Sequence, residues 1–191
     1  MRIIAGDLRG RVIKSTQTSM LRPTTDRVRE TIFNILQARF TFDGARVLDL
    51  FAGTGALGIE ALSRGAASCD FVETDRKAGR VIADNITTLG LRDRARLVNR
   101  DAIKFIAESE GCYDLILADP PYAASIFERL VNDIFSTGRL HRDGLLILEH
   151  SAAMKSPRGD AFDIVKERSF GDSAITIYAW PSAGDGEEPL P

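Results

Sequence analysis

Short apolar runs alternate with amphipathic segments along most of the chain. The runs that predict strands occupy residues 46–52, 68–74, 95–101, 113–119 and 144–150. Patterns with helical spacing fill the intervals between them, at residues 55–65, 76–89, 102–109 and 125–138. This alternation is typical of βαβ units, so it predicts an α/β fold with a parallel sheet and helices on both faces.

Both ends of the chain depart from this alternation. Residues 163–170 and 173–180 flank Gly171-Asp172, which predicts a β-hairpin and therefore an antiparallel end to the sheet. Residues 24–40 predict a helix, capped by Thr24, Thr25 or Asp26, with one apolar face formed by Val28, Ile32, Ile35 and Leu36.

The N-terminal residues 2–15 predict a small basic hairpin that turns around Gly6 to Gly10. We therefore divide the chain into a basic hairpin (1–22), one main domain (23–180) and an acidic tail (181–191). The tail has little to bury, so we expect it to be disordered.

Composition narrows the class of protein. The chain has 191 residues, of which 44% are hydrophobic and 27% charged, and this is ordinary for a globular protein. It has no apolar run long enough for a signal peptide or a membrane span, so we expect a cytoplasmic protein that does not contact membranes. The chain has only two cysteines, Cys69 and Cys112, which we expect to be reduced thiols. Because its two histidines are far from these cysteines, we expect no metal site.

Positive charge is concentrated at the N-terminus. Residues 1–30 hold seven basic and three acidic side chains, although the whole chain has a net charge of −2. This excess predicts an edge that faces phosphate groups, whereas the alternative is a solvated arm without a partner. The candidate nucleic-acid contacts are Arg2, Arg9, Arg11, Lys14, Arg22 and Arg27.

A glycine motif follows the first predicted strand and opens a helix. Gly53, Gly55 and Gly58 satisfy G-x-G-x-x-G, and Glu73 ends the next strand, where an acid can accept from ribose hydroxyls. On this pattern alone, NAD and S-adenosylmethionine are equally compatible cofactors.

Acidic residues near the strand ends favour S-adenosylmethionine. A carboxylate at Asp49 would repel a pyrophosphate at the helix N-terminus, whereas it would attract the ammonium and sulfonium groups of S-adenosylmethionine. Asp101 is placed to accept from an adenine amino group. The candidate cofactor-binding residues are Asp49, Phe51, Ala52, Gly53, Thr54, Gly55, Glu73, Thr74, Asp101, Ala102 and Asp119.

Several segments resemble a known enzyme class. The stretches "DLFAGTGALGIEALSRGA", "VETDR", "NRDA" and "DPPY" resemble the motifs of class I S-adenosylmethionine-dependent methyltransferases that modify exocyclic amino groups. The N-terminal "RIIAGDLRGR" and "RPTTDRVRETIFNIL" resemble, more specifically, the bacterial 16S rRNA guanine-N2 methyltransferase family, which modifies guanine 966. The resemblance covers roughly residues 1–180, and it departs from the family's usual "IIGG" at Ala5.

The resemblance implies both a fold and an activity. The implied fold is Rossmann-like, with a mostly parallel seven-stranded sheet, a C-terminal antiparallel hairpin and an N-terminal hairpin and helix. The implied partner is 16S rRNA or the assembling small subunit, and we expect the enzyme to be a monomer. The alternatives are a DNA or other RNA amino-methyltransferase (adenine N6), an NAD-dependent oxidoreductase and an inert RNA-binding protein.

The "DPPY" segment supplies the candidate catalytic residues. An aromatic amine is a poor nucleophile, because its lone pair is delocalised into the ring. If Asp119 and the Pro120 carbonyl each accept one amino hydrogen, the lone pair can aim at a methyl group. Pro121 stiffens this turn, and Tyr122 offers a ring on which an extruded base can stack.

Overall fold

The computed structural model describes residues 1–15, 26–121 and 124–181. Within these ranges the helices are α1 (Asp26–Gln37), α2 (Ala56–Ser63), α3 (Arg76–Leu89), α4 (Ala102–Glu108) and α5 (Ala124–Ser136). The strands are β1 (Arg46–Leu50), β2 (Ser68–Val72), β3 (Ala95–Val98), β4 (Tyr113–Ala118), β5 (Leu140–Ser151), β6 (Asp163–Phe170) and β7 (Ser173–Ala179).

The strands form one sheet in the order β3-β2-β1-β4-β5-β7-β6. The first five strands in this order are parallel, and β7 pairs antiparallel with both β5 and β6. The predicted α/β architecture with a C-terminal antiparallel hairpin is therefore confirmed. Because the chain winds outward from β1 in one direction and from β4 in the other, these two strands form the switch point where α/β sheets bind ligands.

Two apolar layers cover the sheet. Val47 of β1 joins the layer that contains α1, α2 and α3, whereas Leu48 and Leu50 join the layer that contains α4 and α5. Side chains of a strand alternate between faces, so a strand buried on both faces is apolar at nearly every position. No helix in the described ranges is long and apolar enough to cross a membrane.

The predicted N-terminal hairpin is present and belongs to the main core. Arg2 and Val12 form an antiparallel bridge, and the Ile3 amide donates to the Arg11 carbonyl at 3.0 Å. Ile3 and Ile13 are almost completely buried in the same apolar layer as α1 to α3. The hairpin is therefore packed onto the sheet and its helices.

Strand boundaries differ from the predicted ones in two ways. β5 begins at Leu140 instead of residue 144, with a register shift opposite β4 between Tyr113 and Leu115. The first three strands end two or three residues earlier than predicted, so Glu73 and Asp101 follow strands instead of ending them. Several predicted features lie outside the described residues. They are the helix caps at Thr24 and Thr25, the side chains of Arg22 and Tyr122, and the tail from residue 182 onward.

Candidate active site

Three acidic side chains meet at the carboxyl ends of the central strands. Leu50 pairs with Val72 on one side and with Ala118 on the other. Glu73 and Asp119 each directly follow this row, after the strands β2 and β4 that flank β1 at the usual spacing of about 4.8 Å. Asp49 lies one residue before the row, so the register brings the predicted acids together at the switch point.

The Asp49 carboxyl is the most perturbed acid of this group. Burial raises the pKa of Asp49 to about 8, against the opposing effect of the Gly58 amide, which donates to Oδ2 at 2.9 Å. The nearby charges of Asp119 and Glu73 raise this pKa further. Asp49 is therefore largely neutral at pH 7. A neutral carboxyl group does not repel a pyrophosphate, so the repulsion predicted from the sequence is absent at this pH. Its direct structural role is to hold the first turn of α2.

The loop between β1 and α2 depends on unusual backbone conformations. Phe51 has φ 55° although it is not glycine, and Gly53 and Gly55 have φ 55° and 77°. A non-glycine residue in the left-handed region costs of order 1 kcal/mol, and such strain is concentrated at functional sites.

Gly58 has a different reason to be glycine. A Cβ at this position would lie 2.4 Å from the Phe71 ring and 2.6 Å from the Cys69 sulfur. Helix α2 therefore packs directly on β2, and this is the close approach that the third glycine of the motif permits. All of α2 is buried.

Glu73 links the glycine loop to the end of β2. Its Oε2 accepts from the Gly53 amide and its Oε1 from the Asp75 amide, both at 2.8 Å. A carboxylate has about four acceptor positions, so two remain for a ligand such as a ribose diol. The side-chain amide of Asn99 donates to the Glu73 carbonyl at 2.8 Å and to the Thr74 carbonyl at 3.4 Å.

The remaining predicted cofactor residues surround the same edge. Asp101 caps α4, because its Oδ1 accepts from the Lys104 amide at 2.9 Å, and Ala102 behind it is buried. The Thr54 carbonyl accepts from the Asn85 side chain at 3.1 Å. Sequence reasoning missed Asn85 and Asn99, since a single asparagine in a helix or a turn has no pattern that reveals its partners.

The segment after β4 begins beside Asp49. Asp119 is half-buried, Pro120 is buried and Pro121 is exposed. Tyr122 lies outside the described residues. The donor set fits S-adenosylmethionine, because Glu73 keeps acceptor positions for hydroxyl groups and Asp49 and Asp119 add carboxyl groups at the same edge. No cluster of histidine, cysteine or acidic side chains that could hold a metal ion occurs in the described part of the chain.

Comparison with known proteins identifies the family. The family model described as "Conserved hypothetical protein 95" matches residues 1–179. Ribosomal RNA small subunit methyltransferase D of Escherichia coli strain K12 is 37% identical over 188 residues, which are 98% of this chain and 93% of that protein. The chain belongs to this methyltransferase family.

Other family members agree over nearly the whole length. The Bacillus subtilis protein YlbH is 38% identical over 183 residues, 93% of this chain and 98% of that protein. The solved structure of Escherichia coli YhhF superposes with a TM-score of 0.85 at 36% identity, covering 94% of this chain and 97% of that one. The Rossmann-like methyltransferase fold is thus confirmed.

The basic side chains of the N-terminal hairpin mostly form hydrogen bonds and ion pairs within the protein. Arg2 donates to the Gly10 carbonyl at 2.8 Å, and Lys14 forms an exposed ion pair with Asp84 at 3.6 Å. Arg11 donates to the last carbonyls of α3, at 2.6 Å and 3.3 Å, where a cation also complements the helix dipole.

The side chain of Arg9 is exposed and makes no hydrogen bond or ion pair within the described ranges, so of these hairpin residues it is the clearest candidate for an external contact. Arg22 lies outside those ranges, and the side chain of Arg27 is not described.

Buried polar contacts fix the hairpin to α2. Glu60 is fully buried, and its carboxylate accepts from the amides of Ile4 at 2.8 Å and Ala5 at 3.0 Å. A Cβ on Gly6 would lie 1.8 Å from the Ser63 carbonyl oxygen, and Gly6 has φ 80°. This explains the departure from "IIGG": the second glycine is required by contact, whereas Ala5 contributes a backbone amide that alanine also supplies.

Proposed function

We propose that this protein transfers a methyl group from S-adenosylmethionine to the exocyclic N2 amino group of a guanine in 16S rRNA, at position 966, during small-subunit maturation. The observation that carries the proposal is the position of Asp119 and Pro120 directly after β4, beside the glycine loop, in a chain of the small subunit methyltransferase D family. The name of that relative supplies the class of substrate.

The cofactor would be held by the edge formed by β1, β2 and β3. Glu73 accepts from ribose hydroxyls while it keeps the loop amides, and Asp101 accepts from the adenine amino group. Phe51, Gly53 and Gly55 allow the backbone to approach the cofactor closely. Bound S-adenosylmethionine supplies an electrophilic methyl group on its sulfonium sulfur.

The target amine would be held by the segment after β4. Asp119 and the Pro120 carbonyl each accept one hydrogen of the amino group, which turns the nitrogen lone pair away from the ring and toward the methyl donor. Pro121 limits the movement of that carbonyl. Tyr122 stacks on the base after the base has left its own stack, and we base this role on the sequence alone.

A nucleic-acid substrate is favoured by the exposed Arg9, which extends from a hairpin fixed to the glycine-loop helix. RNA is favoured over DNA because the family relatives named for their substrate are rRNA methyltransferases. The substrate is 16S rRNA, free or within the assembling small subunit. We propose a monomeric enzyme, because one chain contains both halves of the site.

Single-turnover methylation of small ribosomal subunits that lack the modification tests the proposal. Asp119→Ala should reduce the rate strongly, while the affinity for S-adenosylmethionine, measured by calorimetry, stays nearly unchanged. Asp119→Asn should retain measurable activity, because the amide oxygen still accepts one hydrogen bond. If Asp119→Asn is as inactive as Asp119→Ala, Asp119 instead acts as a base that takes the proton of the amine.

Three results would contradict the proposal. Wild-type activity in Asp119→Ala would reduce Asp119 to a turn residue. Binding of NAD with no binding of S-adenosylmethionine would favour an oxidoreductase. Mapping of the product to the N6 amino group of an adenine would assign the enzyme to the adenine N6 class.

A further inference from the structure

A polar cavity lies beside the carboxyl end of β5, outside the site described above. It has a volume of about 550 Å³, opens to solvent, and lies between the end of β5, the residues that follow it, and the strands β6 and β7. Leu148 of β5 pairs with Ala118 of β4, so His150, a wall residue of this cavity, lies near the segment that begins at Asp119. Phe127 in the first turn of α5 packs on His150 with ring centroids 4.7 Å apart.

The rim of this cavity is positively charged. Lys155, Arg158 and Arg168 line it, against a single acid, Glu167. Arg158 and Glu167 are both exposed and form an ion pair at 3.4 Å, whereas Lys155 has no hydrogen bond or ion pair within the described part of the chain. An open polar cavity with an excess of two positive charges attracts a phosphate group.

A chain of hydroxyl groups forms the inner wall, and its hydrogen-bond direction can be assigned. Nδ1 of His150 lies 2.9 Å from the Ser151 carbonyl, which can only accept, so this nitrogen carries the proton. Burial lowers the pKa of His150, which keeps the ring neutral and makes Nε2 an acceptor. The Thr176 hydroxyl, 2.8 Å away, therefore donates to Nε2.

The same reasoning fixes the role of Ser156. Its Oγ lies 2.7 Å from the Thr176 hydroxyl oxygen. Because the Thr176 hydrogen is already used, Ser156 must donate in this contact. Its oxygen has two acceptor positions, and the buried Tyr178 hydroxyl, which interacts with Ser156, takes one of them. The other is left at the cavity wall, where it suits a ligand hydroxyl and does not suit a phosphate oxygen.

We propose that this cavity binds one ribose-phosphate unit of the RNA backbone, with the phosphate against Lys155 and Arg158 and the ribose 2′-hydroxyl donating to Ser156. The proposal rests on the proposed function for its choice of RNA, and adds to it a contact that distinguishes RNA from DNA. The 2′-hydroxyl is the group by which a protein makes this distinction.

Binding of labelled single-stranded RNA and of DNA with the same sequence, about 12 nucleotides each, tests the proposal by fluorescence anisotropy on the full chain. Lys155→Ala combined with Arg158→Ala should weaken both complexes about tenfold and reduce the salt slope of the binding constant by about 0.7, the value for one phosphate on a single strand. Lys166→Ala is the matched control. This residue is on β6 but on the opposite face from Glu167, and it should change nothing.

Ser156→Ala tests the hydroxyl contact separately. It should weaken RNA binding severalfold and leave DNA binding unchanged, so that the preference for RNA disappears. The proposal is overturned if the wild-type chain binds neither oligonucleotide, if the double variant matches Lys166→Ala, or if Ser156→Ala keeps the preference. Binding is measured without methyl transfer, so a chain that binds RNA through this cavity but never methylates it would refute only the proposed function.

Discussion

Replacement of Asp49 by asparagine should change how the stability of the protein depends on pH. In the unfolded chain this carboxyl loses its proton near pH 3.9, whereas burial raises its pKa in the folded protein to about 8. Between these values the unfolded chain is ionised and the folded one is not, so wild-type stability falls as the pH rises. Asparagine has nearly the same shape as the protonated acid, can accept from the Gly58 amide, and does not titrate.

The size of the effect follows from the separation of the two pKa values. Each unit is worth about 1.4 kcal/mol, so a separation of about four units destabilises the folded state by up to about 6 kcal/mol once the pH is well above 8. We therefore expect the difference in unfolding free energy between Asp49→Asn and wild type to grow by roughly 3–4 kcal/mol from pH 5 to pH 8, in favour of the variant.

Urea unfolding at several pH values, without cofactor, measures this difference directly. The comparison cancels every other titration that the two proteins share, and Asp93→Asn controls for the loss of an exposed charge. A difference that stays constant from pH 5 to pH 8 would refute the reasoning, because it would mean that Asp49 is ionised in the folded protein.

The same titration should be coupled to cofactor binding. A cationic ligand beside Asp49 favours the ionised carboxyl, so binding of S-adenosylmethionine should release a proton and strengthen as the pH rises toward 8. Calorimetry in buffers of different ionisation enthalpy detects this proton. Asp49→Asn should abolish the release, and an unchanged release would assign the proton to another group.

Three further outcomes test other parts of the site. Glu73→Ala should weaken S-adenosylmethionine binding by about 1.5–3 kcal/mol, measured by calorimetry on a variant shown to be folded, and unchanged affinity would remove Glu73 from the cofactor site. Gly58→Ala should lower the thermal midpoint by the equivalent of about 1–3 kcal/mol, because its Cβ would overlap the Phe71 ring at 2.4 Å. Arg9→Ala should raise the KM for RNA without a change in the thermal midpoint, whereas Arg11→Ala should lower the midpoint. The reverse result would mean that Arg11 contacts RNA and that Arg9 supports the fold.

Local pattern was sufficient to predict most of the fold. Strands buried on both faces are apolar throughout and helices that cover them are amphipathic, so their alternation is visible in the sequence. The start of β5 was missed because His141 to Gly144 are polar or small and are typical of a turn, yet Leu140 pairs opposite Tyr113 across a register shift.

The chemical state of the site was less predictable than its location. The strand-end acids were visible as a series, but a sequence does not reveal that Asp49 is fully enclosed and so holds its proton near neutral pH. Nor does it show that Arg11 caps α3, because an arginine beside other basic residues looks the same whether it faces a carbonyl or a phosphate. Both answers depend on tertiary contacts.

Asn85 and Glu60 connect the N-terminal hairpin to the glycine loop and to the helix that follows it. Asn85 of α3 is buried, accepts from the Lys14 amide at 2.9 Å, and donates to the carbonyls of Lys14 at 3.0 Å and Thr54 at 3.1 Å. Glu60 fixes the other strand of the hairpin to the helix that the glycine loop opens. The hairpin and the cofactor loop therefore share their supports, so a change in the hairpin core can alter cofactor affinity without any effect on RNA contact. For this reason Arg9, whose exposed side chain has no partner in the described ranges, is the residue of the hairpin that can separate RNA binding from cofactor binding.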